Sequence, residues 1–117
     1  MLGYLIGRVQ AVWKERGRFP QAAAGPTPAV GTCCAKGGQC PASPDAWSAP
    51  AWRLLDFSVD GPHRYAYQYE LASGGQVAVL RAIGDLDCDG VVGTYEVRLT
   101  PSGTGLTETW TRNLPEE

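Results

Sequence analysis

The chain holds a single histidine, His63, and little else that an active site needs. No serine or cysteine sits in a nucleophile elbow, no glycine-rich phosphate loop follows a strand, and no C-x-x-C pair occurs. These absences remove the usual signatures of acyl transfer, nucleotide binding and dithiol redox chemistry. His63 lies in a Gly61-Pro62-His63-Arg64 turn and is expected to face solvent. A hydrolase built on Asp87 and Glu96 as paired carboxylates has nothing to separate it from metal ligation, so no enzyme is expected. Charge is also sparse: 19% of residues are Asp, Glu, Lys or Arg, the net charge is −2, and no block of like charges occurs. A nucleic-acid partner or a general anionic-membrane surface is therefore not expected. No run approaches the roughly 20 apolar residues of a membrane span, and no signal peptide is visible.

What is present describes one folded domain, residues 1–117, with 44% hydrophobic residues. Of nine prolines, six lie between Pro20 and Pro50. The four cysteines, Cys33, Cys34, Cys40 and Cys88, are an even count in a small chain and point to two disulfides formed in an oxidising compartment. Neighbouring cysteines rarely bridge each other, which leaves Cys34–Cys40 with Cys33–Cys88, or Cys33–Cys40 with Cys34–Cys88. Either way a short bridge closes a local loop, and a long one removes roughly 4 kcal/mol of denatured-state entropy. No C-x₂₋₄-C spacing supports a zinc site. Export without a visible leader is reconciled if a native segment preceding Leu2 has been replaced by Met1.

Periodicity divides the chain. Leu2, Leu5, Ile6, Val9, Val12 and Trp13 follow the helical stripe, predicting a helix over 2–16 that ends in Lys14, Arg16 and Gly17. Residues 20–58 read as a disulfide-stapled loop region with an apolar cluster of Trp47, Trp52, Leu54, Leu55 and Phe57 and a short helical turn at 52–56. The four tryptophans and five tyrosines are expected in the core of so small a domain rather than on a sugar-stacking platform. From Tyr65 the period becomes two. Tyr65, Tyr67, Tyr69 and Leu71 predict a half-buried strand, Ser73-Gly74-Gly75 a turn, and 76–83 a central strand interrupted by Arg81. Residues 94–100 and 106–112 complete an antiparallel meander over 64–112, the last strand Thr-rich as suits an edge. The expected fold is α+β, a helix packed on a three- to four-stranded antiparallel sheet.

One motif carries chemistry. Asp85-Leu86-Asp87-Cys88-Asp89-Gly90 and Glu96 satisfy D-x-[DN]-x-[DN]-G-x₅-E, the calcium-loop template. Ca²⁺ takes six to eight hard oxygens, which Asp85, Asp87, Asp89, the Val91 carbonyl and Glu96 could supply, with Gly90 making the turn and Val92 at the apolar anchor position. The flanks read as strands, whereas a true EF-hand needs helices. A metal-free turn, in which aspartates cap backbone N–H groups, stands beside the Ca²⁺ assignment. In that case a cation, Arg81 or Arg98, would offset the carboxylate repulsion.

The order of features is itself informative. A helix ends near Gly17-Arg18-Phe19-Pro20. Cys33-Cys34, Cys40, Trp47, Trp52-Arg53-Leu54-Leu55-Asp56-Phe57-Ser58 and Tyr65-Ala66-Tyr67 follow, then Ala82-Ile83-Gly84-Asp85-Leu86-Asp87, Asp89-Gly90 and Gly93-Thr94-Tyr95. In this order the chain resembles, over roughly residues 2–113, the globular heads of type IV pilin-like and pseudopilin-like (prepilin-type) proteins of Gram-negative bacteria. The resemblance implies a hydrophobic membrane helix upstream of Leu2, anchoring in the inner membrane, other pilin-like subunits as partners, and a structural role as a minor subunit of a pilus or secretion pseudopilus. It implies export to the periplasm or cell surface and a metal role for Asp85, Asp87 and Asp89. The chain departs from the family in its short helix and in Cys88, at a loop position where the family often has glycine. The alternative is a secreted calcium-binding or ligand-binding module that does not assemble.

Overall fold

The apolar stripe at the start of the chain becomes α1, Leu2–Arg16, with Leu5, Ile6, Val9 and Val12 buried along one side. Lys14 and Arg16 occupy its last turn, where the helix dipole favours cations. The Gly17 N–H closes the helix on the Trp13 carbonyl at 2.7 Å. The computed structural model describes residues 2–85, 88, 90–103 and 105–113. After α1 come β1 (Ala24–Thr27), α2 (Thr32–Ala35), a 3₁₀ turn at Pro44–Trp47 and α3 (Pro50–Leu55). The remainder is β2 (Ala66–Ala72), β3 (Val77–Gly84), β4 (Gly93–Ser102) and β5 (Gly105–Asn113). Among the described residues no helix is long and apolar enough to cross a membrane.

The strands form one antiparallel sheet in the order β1-β2-β3-β4-β5, so the fold is α+β with the helix laid on the sheet. The expected three to four strands are five. The additional one, β1, falls inside the 20–58 region, where Ala24-Gly25-Pro26-Thr27 has no alternation to betray a strand. Proline is admitted there because β1 is an edge, where one side of the backbone needs no partner. Gly25 is required by geometry: its φ is +93° and a Cβ built on it would lie 2.3 Å from the Tyr67 carbonyl oxygen. The pairing slips beside it, with Ala24 opposite Tyr69 but Thr27 opposite Tyr67.

Strand parity sorts the two faces. Tyr67, Tyr69, Ala78, Leu80, Ala82, Val97 and Leu99 form the face under α1 and are buried. β3 is central, as its two-sided apolar pattern requires, and Val79 on the opposite face is also buried. There Arg81 faces Gln68 and Glu96 in register. Its Nε donates to Glu96 Oε1 at 2.8 Å, and its Nη1 donates to Gln68 Oε1 at 3.3 Å and also to Glu70. Burial alone would lower the Arg81 pKa, but the hydrogen bonds and charges of Glu70 and Glu96 outweigh it and hold the guanidinium above its ordinary value.

The aromatic residues of the middle region fill the space between α1, α3 and the sheet. Trp47, Trp52, Phe57 and Tyr67 are all nearly or fully buried, and Trp52 stands 5.4 Å from Trp47 and 5.3 Å from Phe57, centroid to centroid. These four are core, not a sugar-stacking surface, whereas Trp110 and Tyr4, expected in the core with them, are about half exposed. Two polar handles knit the loop region to this core: Trp52 Nε1 donates to Thr27 Oγ1 at 3.0 Å, and the Tyr69 hydroxyl donates to the Pro20 carbonyl at 2.7 Å. Arg8 Nε donates to the Leu55 carbonyl at 2.7 Å and joins α1 to the end of α3. The disulfides are Cys33–Cys40 and Cys34–Cys88, with Cα separations of 4.7 and 5.6 Å. The first pins a seven-residue span; the second ties α2 to the loop between β3 and β4.

Candidate functional site

Among the described residues, two places bring candidate ligand residues together. The first is the β3–β4 loop. Gly90, at φ +91°, makes the sharp turn its position in the motif demands, and Cys88 also takes a positive φ, 57°. The Gly90 N–H donates to Asp85 Oδ2 at 2.8 Å, and the Cys88 N–H to the Asp85 carbonyl at 3.2 Å. Asp85 thus caps the turn from five residues upstream, a longer reach than the two residues of an Asx-turn. The Cys34 sulfur of the long bridge lies 3.0 Å from the Asp85 carbonyl oxygen and holds the loop against α2. Asp87 and Asp89 lie outside the described residues.

The flanks of the loop are β3 and β4, so the surroundings are not those of an EF-hand. Glu96, expected to close a calcium site with two oxygens, stands elsewhere. It lies on β4 three residues beyond the Gly84–Gly93 pair, about 10 Å down the strand at 3.4 Å per residue. Its carboxylate binds Arg81 at 2.8 Å and Arg98 at 3.4 Å. The two arginines expected to offset the loop's carboxylates therefore act on Glu96 instead. Val92, at the anchor position, is 36% exposed, and Val91 38%. Neither is driven into a core by the loop.

The second place has no signature in the sequence. His63, a solvent-facing turn residue by its position, is 9% exposed. The cause is a two-residue bridge with Cys40: the Cys40 N–H donates to the His63 carbonyl at 2.7 Å, and the His63 N–H returns to the Cys40 carbonyl at 2.9 Å. That pairing carries the imidazole under the short disulfide and 6.4 Å from the Trp47 ring. Its Nδ1 is 2.9 Å from the Gly61 carbonyl oxygen, which can only accept, so Nδ1 carries the hydrogen. Beside it opens a cavity of about 230 Å³ lined in part by Thr32, Lys36, Cys40, Ser43, Trp47 and His63. An isolated bridge between two loop positions has no period to read. The one usable hint is that His63 follows Pro62 immediately before the first strand of the meander.

No protein family, no curated protein and no solved structure matches this chain.

Proposed function

We propose that this domain is the head of a minor filament subunit of the type IV pilin-like class, exported and oxidised, and that it acts by assembly rather than catalysis. The support that carries furthest is the outer side of α1. Gly3, Gly7 and Ala11 are exposed and stand one above another at four-residue spacing, and nothing lies within 4 Å of a Cβ placed at either glycine. With Tyr4 beside them, 51% exposed, they make an uncharged helix face on which a second helix can approach closely. Arg8 is half-buried and turned to the Leu55 carbonyl, and the other charges of α1, Lys14, Glu15 and Arg16, lie at its far end. Further support comes from the arrangement of a leading helix on an antiparallel sheet and from the two disulfides, which suit an exported protein.

The test begins with the gene. The reading requires a continuous hydrophobic helix of about 20 residues or more encoded upstream of Leu2. In the full-length protein, Gly7→Leu should abolish incorporation into filaments while leaving the melting temperature of the head within a few degrees. An ordinary secretory signal upstream, or filaments indifferent to Gly7→Leu, defeats the proposal.

One observation favours the alternative, a secreted calcium-binding module: the Asp85–Gly90 hydrogen bond already curls the loop that would hold the ion. In that case Asp85, Asp87, Asp89 and the Val91 carbonyl would be the ligands and Glu96 would not. Calorimetric Ca²⁺ titration separates the two arrangements. Binding that survives Glu96→Gln but not Asp85→Asn fits the loop, and binding that depends on Glu96 contradicts this geometry.

A further inference from the structure

We infer that the short disulfide masks a metal site: on reduction of Cys33–Cys40, the two thiolates and His63 form a three-ligand centre for zinc or a similar d¹⁰ cation. One ring nitrogen of His63 and the two sulfurs lie within 4.8 Å of one another, and all three residues are buried. A tetrahedral zinc centre holds two thiolates about 3.8 Å apart, from Zn–S bonds near 2.3 Å. The three side chains therefore need only small rotations once the S–S bond is opened.

The backbone keeps these side chains together without the disulfide. Cys40 and His63 are locked by their reciprocal hydrogen bonds, and the Gly38 N–H donates to the Cys33 carbonyl at 2.8 Å, closing α2. The imidazole is already oriented as a ligand requires. Nδ1–H is directed at the Gly61 carbonyl, which leaves Nε2 of the neutral ring as the ligand atom, and a carbonyl on the far nitrogen is the usual second partner of a metal-bound histidine. Cys40 and His63 also line the cavity described above, which leaves room for a water or a small ligand in a fourth position and gives a reductant a way in. Two thiolates and an imidazole select soft or borderline cations over Ca²⁺ or Mg²⁺.

The chemistry balances with a thiol or dithiol reductant. A dithiol delivers two electrons and two protons to the S–S bond, becomes a cyclic disulfide itself, and leaves two cysteine thiols. Binding of the divalent ion then releases those two protons. The cation is thus excluded from the oxidised protein and admitted by the reduced one.

The experiment titrates the whole chain with Co²⁺, as a coloured substitute for Zn²⁺, before and after reduction by a dithiol. Near-ultraviolet circular dichroism follows the fold throughout. The expected result is one ion per chain after reduction, with thiolate-to-cobalt charge-transfer absorption and tetrahedral ligand-field bands displaced by Zn²⁺, and none before reduction. His63→Ala should weaken binding at least about tenfold, since loss of outer-shell partners alone costs 10- to 100-fold. Cys34→Ser/Cys88→Ser should keep the site, and Cys33→Ser/Cys40→Ser should lose it. If reduction unfolds the chain, Zn²⁺ should restore the near-ultraviolet spectrum, and alkylation mapped by mass spectrometry should find Cys33 and Cys40 protected and Cys34 and Cys88 labelled. No cobalt spectrum together with no restored fold overturns the proposal, as does equal binding by the oxidised protein or by His63→Ala.

Discussion

Opening the long bridge separates two ways in which a disulfide can stabilise this domain. Cys34→Ala/Cys88→Ala releases a link spanning 54 residues, for which chain entropy gives about 4 kcal/mol. Cys34 is half-buried and Cys88 exposed, so the truncation itself loses little packing. Cys33→Ala/Cys40→Ala releases a link spanning seven residues, worth about 2.5 kcal/mol on the same expression. Those two residues are only 7% and 4% exposed, and each lost sulfur adds about 0.8 kcal/mol if it counts as one buried methylene. The two double variants should therefore fall by a similar amount, roughly 4 kcal/mol each, for different reasons. Urea titration distinguishes them. The denaturant slope follows the surface exposed on unfolding, so it should rise clearly when the long link is cut and hardly at all when the short one is. An unchanged slope in Cys34→Ala/Cys88→Ala, or an equal rise in both variants, refutes the assignment of the long bridge to the denatured state.

Two further expectations follow from single contacts. Gly25→Ala should cost about 3 kcal/mol or more, because it combines an unfavourable φ with a Cβ 2.3 Å from the Tyr67 carbonyl oxygen. Gly17→Ala, at φ +73° with nothing within 4 Å, should cost only the backbone part, about 1–2 kcal/mol; equal losses in urea unfolding would contradict the close approach of β1 to β2. At alkaline pH, burial and then the charge of Tyr65 push the Tyr67 phenol from 10.0 to about 12, and burial moves Tyr69 in the same direction. The unfolded chain ionises first, so stability is intact below pH 10 and falls as the pH rises towards and through 12, by up to about 3 kcal/mol for Tyr67 alone. Urea unfolding measured across this range should show that decline, and Tyr67→Phe should flatten part of it. A wild-type profile as flat as that of the variant would show that the buried phenol does not couple to folding.

The elements that the chain announces are those whose burial repeats. α1 shows itself because four of its six stripe residues, Leu5, Ile6, Val9 and Val12, are buried against one surface. The strands from β2 to β4 show themselves because one face packs into the core under α1 and the other carries charge, and β5 shows itself by the Thr-rich alternation of an exposed edge. β1 escapes because its four residues are held by a single close approach at Gly25 and by Thr27 receiving the Trp52 indole, neither of which recurs along the chain. His63 escapes for the same reason: its burial depends on Cys40, and that pairing joins residues 23 apart through one bridge. The disulfide pairing was likewise open on spacing alone. Two adjacent cysteines offer the same reach to both partners, and what decides between them is the direction of each side chain from α2. Cys33 is turned toward the core and Cys34 toward the β3–β4 loop.

The acidic motif shows how strand geometry overrides spacing. Counted along the chain, Glu96 stands where a calcium loop places its last ligand. Once Gly84 pairs with Gly93, every further step down β3 is matched by one up β4, so Arg81 is obliged to face Glu96. Parity then puts both on the side away from α1, where Glu70 and Gln68 of β2 join them. Arg81 had already interrupted an otherwise apolar strand, and a cation at that position needs a carboxylate directly across the ladder. Glu96 meets that need, which gives it a structural reason to occur at this spacing whether or not an ion binds above it. The calcium role proposed for the loop therefore falls to the aspartates before the strand begins, and Glu96 belongs to the sheet.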